Sequence, residues 1–200
     1  MTIDTNNLLN SILDELSHLD YIHPGEVPNI DLYMDQVTTF MDEQLASTKR
    51  YENDKILTKT MINNYTKNNL LPPPVKKKYS KEHLLLLIFI YYFKSILSIK
   101  DIETILKPLT EKYFHEEGEL DLSSVYKDIC KLEKQQLEPL KQTVSAAYDN
   151  AAASFSEIPD GEDKDTLQQF AFLCNLSFDV YLKKMMIERI IDDITKNKSE

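Results

Sequence analysis

Residues 56–109 read ILTKTMINNYTKNNLLPPPVKKKYSKEHLLLLIFIYYFKSILSIKDIETILKPL, and the fold turns on this stretch. Thr58 stands where a hydroxyl caps a helix N-terminus, and the spacing predicts a helix over 58–68 with Ile62 and Tyr65 facing inward. Lys59, Asn63 and Lys67 then share its outer face at i, i+4 and i+8. Pro72, Pro73 and Pro74 stop the helix, because proline lacks the N–H of the helical ladder and pushes the residue before it into extended backbone. Lys76-Lys77-Lys78-Tyr79 follows, and Ser80 is placed to cap the next helix. Residues 84–93 are the most hydrophobic run, ten residues ended by Lys94. A membrane span needs roughly 20 apolar residues, so this run is expected to be a buried core helix with no membrane role. After a break near Ser98 a short helix is predicted over 99–106, ended by Pro108.

Around this stretch the charge reverses. Residues 49–100 hold eleven Lys/Arg against three acids, a local net of +8, whereas the whole chain carries −10 and the remainder therefore −18. Polyanion binding by the average field is excluded, but a concentrated basic face binds phosphates while the acidic remainder keeps the chain dispersed. The asymmetry points to nucleic acid and says where.

Two hundred residues with 42% hydrophobic and 28% charged side chains make a globular chain with room for a core and an appended module. Its three glycines, Gly25, Gly118 and Gly161, lie in polar connecting stretches, so the glycine-rich phosphate loops of nucleotide-binding folds are absent. Cys130 and Cys174 sit singly in apolar-periodic stretches and are expected to be buried free thiols. The N-terminal residues MTIDTNNLLNSILDEL lack the basic start of a signal peptide, and a cytoplasmic location is expected. His18, His23, His83 and His115 are scattered and are expected at surfaces or caps. Acid pairs such as Glu116-Glu117 and Asp192-Asp193 have no nucleophile or base recognisable beside them. No catalytic, cofactor or metal site is expected, and the chain is not expected to be an enzyme.

Helical spacing extends in both directions. An N-terminal helix is predicted over 5–19, with Thr5 its cap, and then a helix over 30–45 with Ile30, Met34, Val37, Met41 and Leu45 on one stripe. Residues 46–55 are a polar loop. A domain boundary is expected at 116–121, giving an N-terminal helix in 1–29, a helix-turn-helix domain in 30–115 and a C-terminal helical region in 120–200 that dimerises or receives a signal. There, a helix over 122–155 carries Val125, Ile129, Leu132, Leu140, Val144 and Ala147 on one stripe, with a kink expected at Pro139. A second, over 164–195, has the stripe Leu167, Phe170, Ala171, Cys174, Phe178, Tyr181 and Met185, and its apolar arc is wider than one antiparallel neighbour covers. A homodimer is the expected consequence.

The segments MINNYTKNNLLPP, KKYSKEHLLLLIFI and LSIKDIETIL, in this order, resemble the DNA-binding half of mercury-resistance-type (MerR) regulators. The matching positions include Ile62, Tyr65, Leu70, Leu71, Pro73, Tyr79, Leu84, Leu87, Ile90, Ser98, Ile99, Ile102 and Leu106, about a quarter of the chain. More widely, the span from about residue 29 to 109, with IDLYMDQVTTFM and LTKTMINNY, resembles an uncharacterised bacterial family, domain of unknown function 1836. The MerR resemblance implies an all-α chain with a winged or degenerate-wing helix-turn-helix whose recognition helix is 58–68. It departs at the family's Arg and first Tyr of that helix, here Asn63 and Asn64, so those interactions do not carry over; asparagine reads adenine instead. The family's glycine after the helix is Asn69, its wing is short and without glycine so that no two-stranded ribbon is expected, and a ten-residue loop replaces the tight turn before Ile56.

The expected function is therefore a transcriptional regulator reading a near-palindromic site on double-stranded DNA. Lys59, Thr60, Asn63, Asn64 and Lys67 face the groove, and Lys76, Lys77, Lys78 and Tyr79 hold phosphates. The alternative is an interaction module that docks an acidic partner protein through the same basic face without base preference. Neither reading specifies a small-molecule effector.

Overall fold

The computed structural model describes residues 9–14, 22–114 and 120–197. Among them the chain forms seven helices and one two-stranded sheet. Helix α1 is described over 9–14, and the remainder of the predicted N-terminal helix, Thr5 included, lies outside the described residues, as does the 116–119 part of the expected boundary. Then come β1 (Leu32–Tyr33), α2 (Met34–Gln44), a 3-10 turn (Ala46–Thr48), α3 (Lys59–Lys67), β2 (Lys78–Tyr79), α4 (Lys81–Phe93), α5 (Ile99–Tyr113), α6 (Leu122–Ala152) and α7 (Glu162–Asn197). No described helix is long and apolar enough to cross a membrane.

The chain divides into two compact units: Asp20–Lys131 with Glu188–Glu200, and Met1–Leu19 with Leu132–Ile187. The divisions fall inside α6 and α7, away from residues 116–121. In the first unit α4 is the axis. Eight consecutive residues, His83 to Ile90, are buried, which requires neighbours all round the helix. Val37 and Met41 of α2, Leu45 at its C-cap, Ile62 and Tyr65 of α3, and Ile102 and Leu106 of α5 contribute to this core. The first turns of α6 belong to it as well. Leu122, Tyr126 and Cys130 are buried at i, i+4 and i+8, the Tyr126 ring meets Phe89 edge-on at 5.6 Å, and its hydroxyl donates to the Ile22 carbonyl at 2.6 Å.

Several sequence expectations shift here. Helix α2 begins at Met34, four residues later than predicted, and leaves Ile30 67% exposed. Helix α5 passes through Pro108 to Tyr113: the lost hydrogen bond falls on an exposed face, and buried Ile102 and Leu106 hold the preceding turns in place. Likewise α6 runs unbroken through Pro139.

In the second unit Val144, Ala147 and Ala151 of α6 pack with Phe172 of α7, and Leu9 and Leu13 of α1 lie against them. The α6 stripe is only half as expected, since Leu132 and Leu140 are exposed. On α7 the predicted stripe is split: Phe170, Phe178, Tyr181 and Met185 lie on an exposed side, Leu167 and Ala171 are half-buried with Ala171 against the core, and Phe172, one position off the stripe, is buried. Cys174 shares this side and is exposed, contrary to expectation, while Cys130 is buried.

Candidate nucleic-acid interface

Helix α3 is fixed at both ends by local chemistry. The Thr58 hydroxyl accepts from the Met61 N–H at 3.2 Å, satisfying one of the orphan donors of the first turn. At the other end Asn69 adopts φ 57°, its N–H donates to the Thr66 carbonyl at 3.2 Å, and the Leu70 N–H donates to the Tyr65 carbonyl at 2.9 Å. This is a Schellman ending with asparagine in the left-handed position that glycine usually fills. Leu70 and Leu71, both 1% exposed, then anchor the chain in the core. With Ile62 and Tyr65 buried, the expected set Lys59, Thr60, Asn63, Asn64 and Lys67 is exposed in full.

The long connection before α3 is also held. Thr48 bonds the Tyr91 hydroxyl, Lys49 pairs with Asp42 at 2.8 Å, and the Lys94 amine donates to the Ile56 carbonyl at 2.6 Å. The Lys94 amine also lies 4.7 Å from the Tyr91 ring centroid, and burial pushes its pKa down. Tyr91 of α4 and Lys94 at its C-terminal cap thus tether the 46–57 segment that delivers α3. Two lysines of the basic stretch, Lys49 and Lys94, are consequently engaged within the fold.

After the three prolines the backbone makes a minimal hairpin. Val75 and Lys78 exchange both hydrogen bonds, at 3.1 and 2.9 Å, around Lys76 and Lys77 with φ 50° and 65°. Positive φ at both central residues is the signature of the tight hairpin turn that matches strand twist, normally made by Asn-Gly. A tight hairpin therefore forms here although the segment has no glycine. Strand β2 pairs antiparallel with β1, Leu32 opposite Tyr79 and Tyr33 opposite Lys78. Side chains alternate along a strand, so Leu32 and Tyr79 turn inward while Tyr33 and Lys78 turn outward.

This alternation corrects one expected site residue. Tyr79 is 3% exposed, its ring stands edge-on to His83 at 5.5 Å, and burial pushes its pKa up. It is a core residue and offers nothing to a phosphate. His83 is itself buried and accepts from the Ser80 N–H at 3.0 Å, the capping role expected for a histidine at this position. Lys76 and Lys77 are exposed at the hairpin tip and Lys78 is half-buried.

The start of α2 joins the two basic elements. The Lys78 amine sits 5.3 Å from the Tyr33 ring centroid, and the Lys59 amine pairs with the Asp35 carboxylate. Tyr33 and Asp35 are two residues apart, at most about 7 Å along the backbone, so the head of α3 and the base of the hairpin meet at one corner. Sequence reading missed both partners. The strand register that brings Tyr33 opposite Lys78 is not visible in either segment alone. Asp35 lies in the first turn of α2, a position the helix dipole favours for an acid in any case.

No group of three or more His, Cys, Asp or Glu side chains able to hold a metal occurs among the described residues. The family described as Domain of unknown function (DUF1836) matches residues 22–129, and the chain belongs to that family. The matched span nearly coincides with the Asp20–Lys131 part of the first compact unit. No curated protein and no solved structure matches the chain.

Proposed function

We propose that the chain is a DNA-binding transcriptional regulator with a MerR-like helix-turn-helix formed by α2 and α3, acting as a homodimer in the bacterial cytoplasm. Helix α3 enters the major groove and presents Lys59, Thr60, Asn63, Asn64 and Lys67, while Lys76, Lys77 and Lys78 on the hairpin hold phosphates. The observation that carries this reading is the joint exposure of these polar side chains on one short helix whose base meets the lysine hairpin at Tyr33 and Asp35. Nine residues of α3 span about 13 Å, the scale of a major groove about 12 Å wide. Asparagines on the exposed face can read adenine through paired hydrogen bonds. The uncovered apolar side of α7 supports a second copy, which would set two α3 helices about 34 Å apart on a near-palindromic site.

Selection of bound DNA from a random pool, read at two salt concentrations, tests the proposal. A recovered half-site motif is the expected result. Replacing Lys76, Lys77 and Lys78 by Ala is expected to weaken binding to all sequences and to lower the salt slope by about 0.9 for each phosphate no longer neutralised. Asn63→Ala or Asn64→Ala instead relaxes base preference, at about 1–3 kcal/mol for each base read. A pool returned without any base preference would favour docking of an acidic protein, and a triple-lysine variant that binds like the wild type removes the phosphate clamp.

A further inference from the structure

The second compact unit contains a cavity of about 170 Å³ beside its small core. Leu9 and Ile12 of α1, Ala152 of α6, and Phe172, Leu173 and Leu176 of α7 form its apolar walls. Ala151 and Ala152 of α6 line it opposite Phe172, with short side chains that leave the space open. A cavity of about 150 Å³ suffices for benzene, which sets the scale of an occupant at one ring or a short branched chain.

The polar side of this cavity has a definite sign. Asp165 lines it from the first turn of α7, half-buried, where the helix dipole favours the charged carboxylate. The neighbouring Lys164 is engaged by Asp160 at 2.8 Å, and among the described residues no cation pairs with Asp165. Gln168 is bound into the fold, its amide donating to the Ala152 carbonyl at 2.6 Å and the Ser154 carbonyl at 3.1 Å, which fixes the α6–α7 turn at the cavity edge. The wall also carries an aromatic pair, Tyr148 and Phe172 edge-on at 5.6 Å, and ring faces attract cations. Glu162 and Asp163 in the same first turn add to the negative field, which repels carboxylates and phosphates.

From this apolar hollow edged by Asp165 and by the Tyr148–Phe172 rings, we infer that the C-terminal unit binds a small amphipathic cation, its hydrocarbon body in the cavity and its ammonium group on the Asp165 carboxylate. This goes beyond the DNA reading and does not depend on it.

Calorimetric titration of the full chain, without DNA, tests the site with three probes of similar size: phenethylammonium, ethylbenzene and phenylpropanoate. The cation is expected to bind at least about tenfold more tightly than either other probe, a difference of about 1.4 kcal/mol. Asp165→Asn should remove that advantage and leave ethylbenzene unchanged. Ala152→Leu, at an exposed position where added bulk cannot unfold the core, should block all three while the circular dichroism spectrum stays constant. Equal affinity for the three probes, no binding at millimolar concentration, or cation binding undiminished in either variant overturns the inference. Failure of the DNA selection would leave the titration result standing.

Discussion

The two compact units use the same material, amphipathic helices, and reach opposite degrees of burial. In the Asp20–Lys131 unit α4 is enclosed on every side, and His83 to Ile90 form an unbroken buried run. In the Leu132–Ile187 unit, the core is Val144, Ala147, Ala151 and Phe172, while Phe170, Leu173, Phe178, Tyr181 and Met186 on α7 are each about three-fifths exposed. The difference is geometric. A central helix ringed by others hides all its faces, whereas two long helices side by side hide one face each, and the short described stretch of α1 adds little cover. The family match falls on the first unit, where burial is concentrated, and the uncovered surface and the cavity fall on the second.

The largest test of this contrast is a matched pair of truncations. Leu87→Ala, at a position with no exposed surface, is expected to cost about 2–5 kcal/mol in urea unfolding. The same change at Leu173, 61% exposed in the single chain, should stay within about 0.5 kcal/mol when measured at concentrations low enough to keep the chain monomeric. Comparable losses at the two sites would mean that the α7 face is covered in solution and would erase the difference between the units.

A smaller effect tests whether the first turns of α6 belong to the family unit. Tyr126→Phe removes the donor to the Ile22 carbonyl, and a buried acceptor left unpaired costs about 1–3 kcal/mol. A loss of stability read by denaturant titration is expected, with no change at the α7 end of the molecule.

Next is the hairpin. Lys76 and Lys77 hold positive φ that side chains adopt at a cost, so replacing them by Asn and Gly is expected to raise stability by about 1 kcal/mol. The same variant lowers affinity for DNA because two exposed charges are removed. Opposite signs in thermal melting and DNA binding would mark a turn kept for its lysines rather than for its backbone fit.

The least effect is expected at high pH. Burial raises the pKa of Tyr65 and Tyr79 above the ordinary value near 10, so their neutral forms stabilise the fold. That contribution is present in full below pH 10 and is lost as pH rises through the folded-state values. Tyr65→Phe with Tyr79→Phe should therefore flatten the alkaline fall in unfolding free energy. An unchanged slope would place the alkaline transition elsewhere.

Local patterns carried most of the helical reading because their causes are local. Thr58 and Ser80 as caps, the break near Ser98, Asn69 as the left-handed stop, and the buried run before Lys94 each depend on residues within one or two turns. The basic patch was legible as composition, and eight of the nine candidate site residues are at least partly exposed. Tyr79 was misplaced because its direction follows from pairing with Leu32, a partner 47 positions earlier in the chain. The apolar arc of α7 is legible as wider than one neighbour covers, but period alone does not say which part of it meets that neighbour.

By itself, the sequence determined where most of the helices begin, that α4 lies inside, and that positive charge gathers beside the three prolines, because capping, proline sterics and hydrophobic runs act over short distances. Only the tertiary structure decided that Tyr33 and Asp35 draw the hairpin and α3 to one corner, that Lys94 serves the fold, and that Asp165 edges an apolar cavity. Those outcomes depend on strand register and on which helix faces meet, and both are set by packing between segments far apart in the chain.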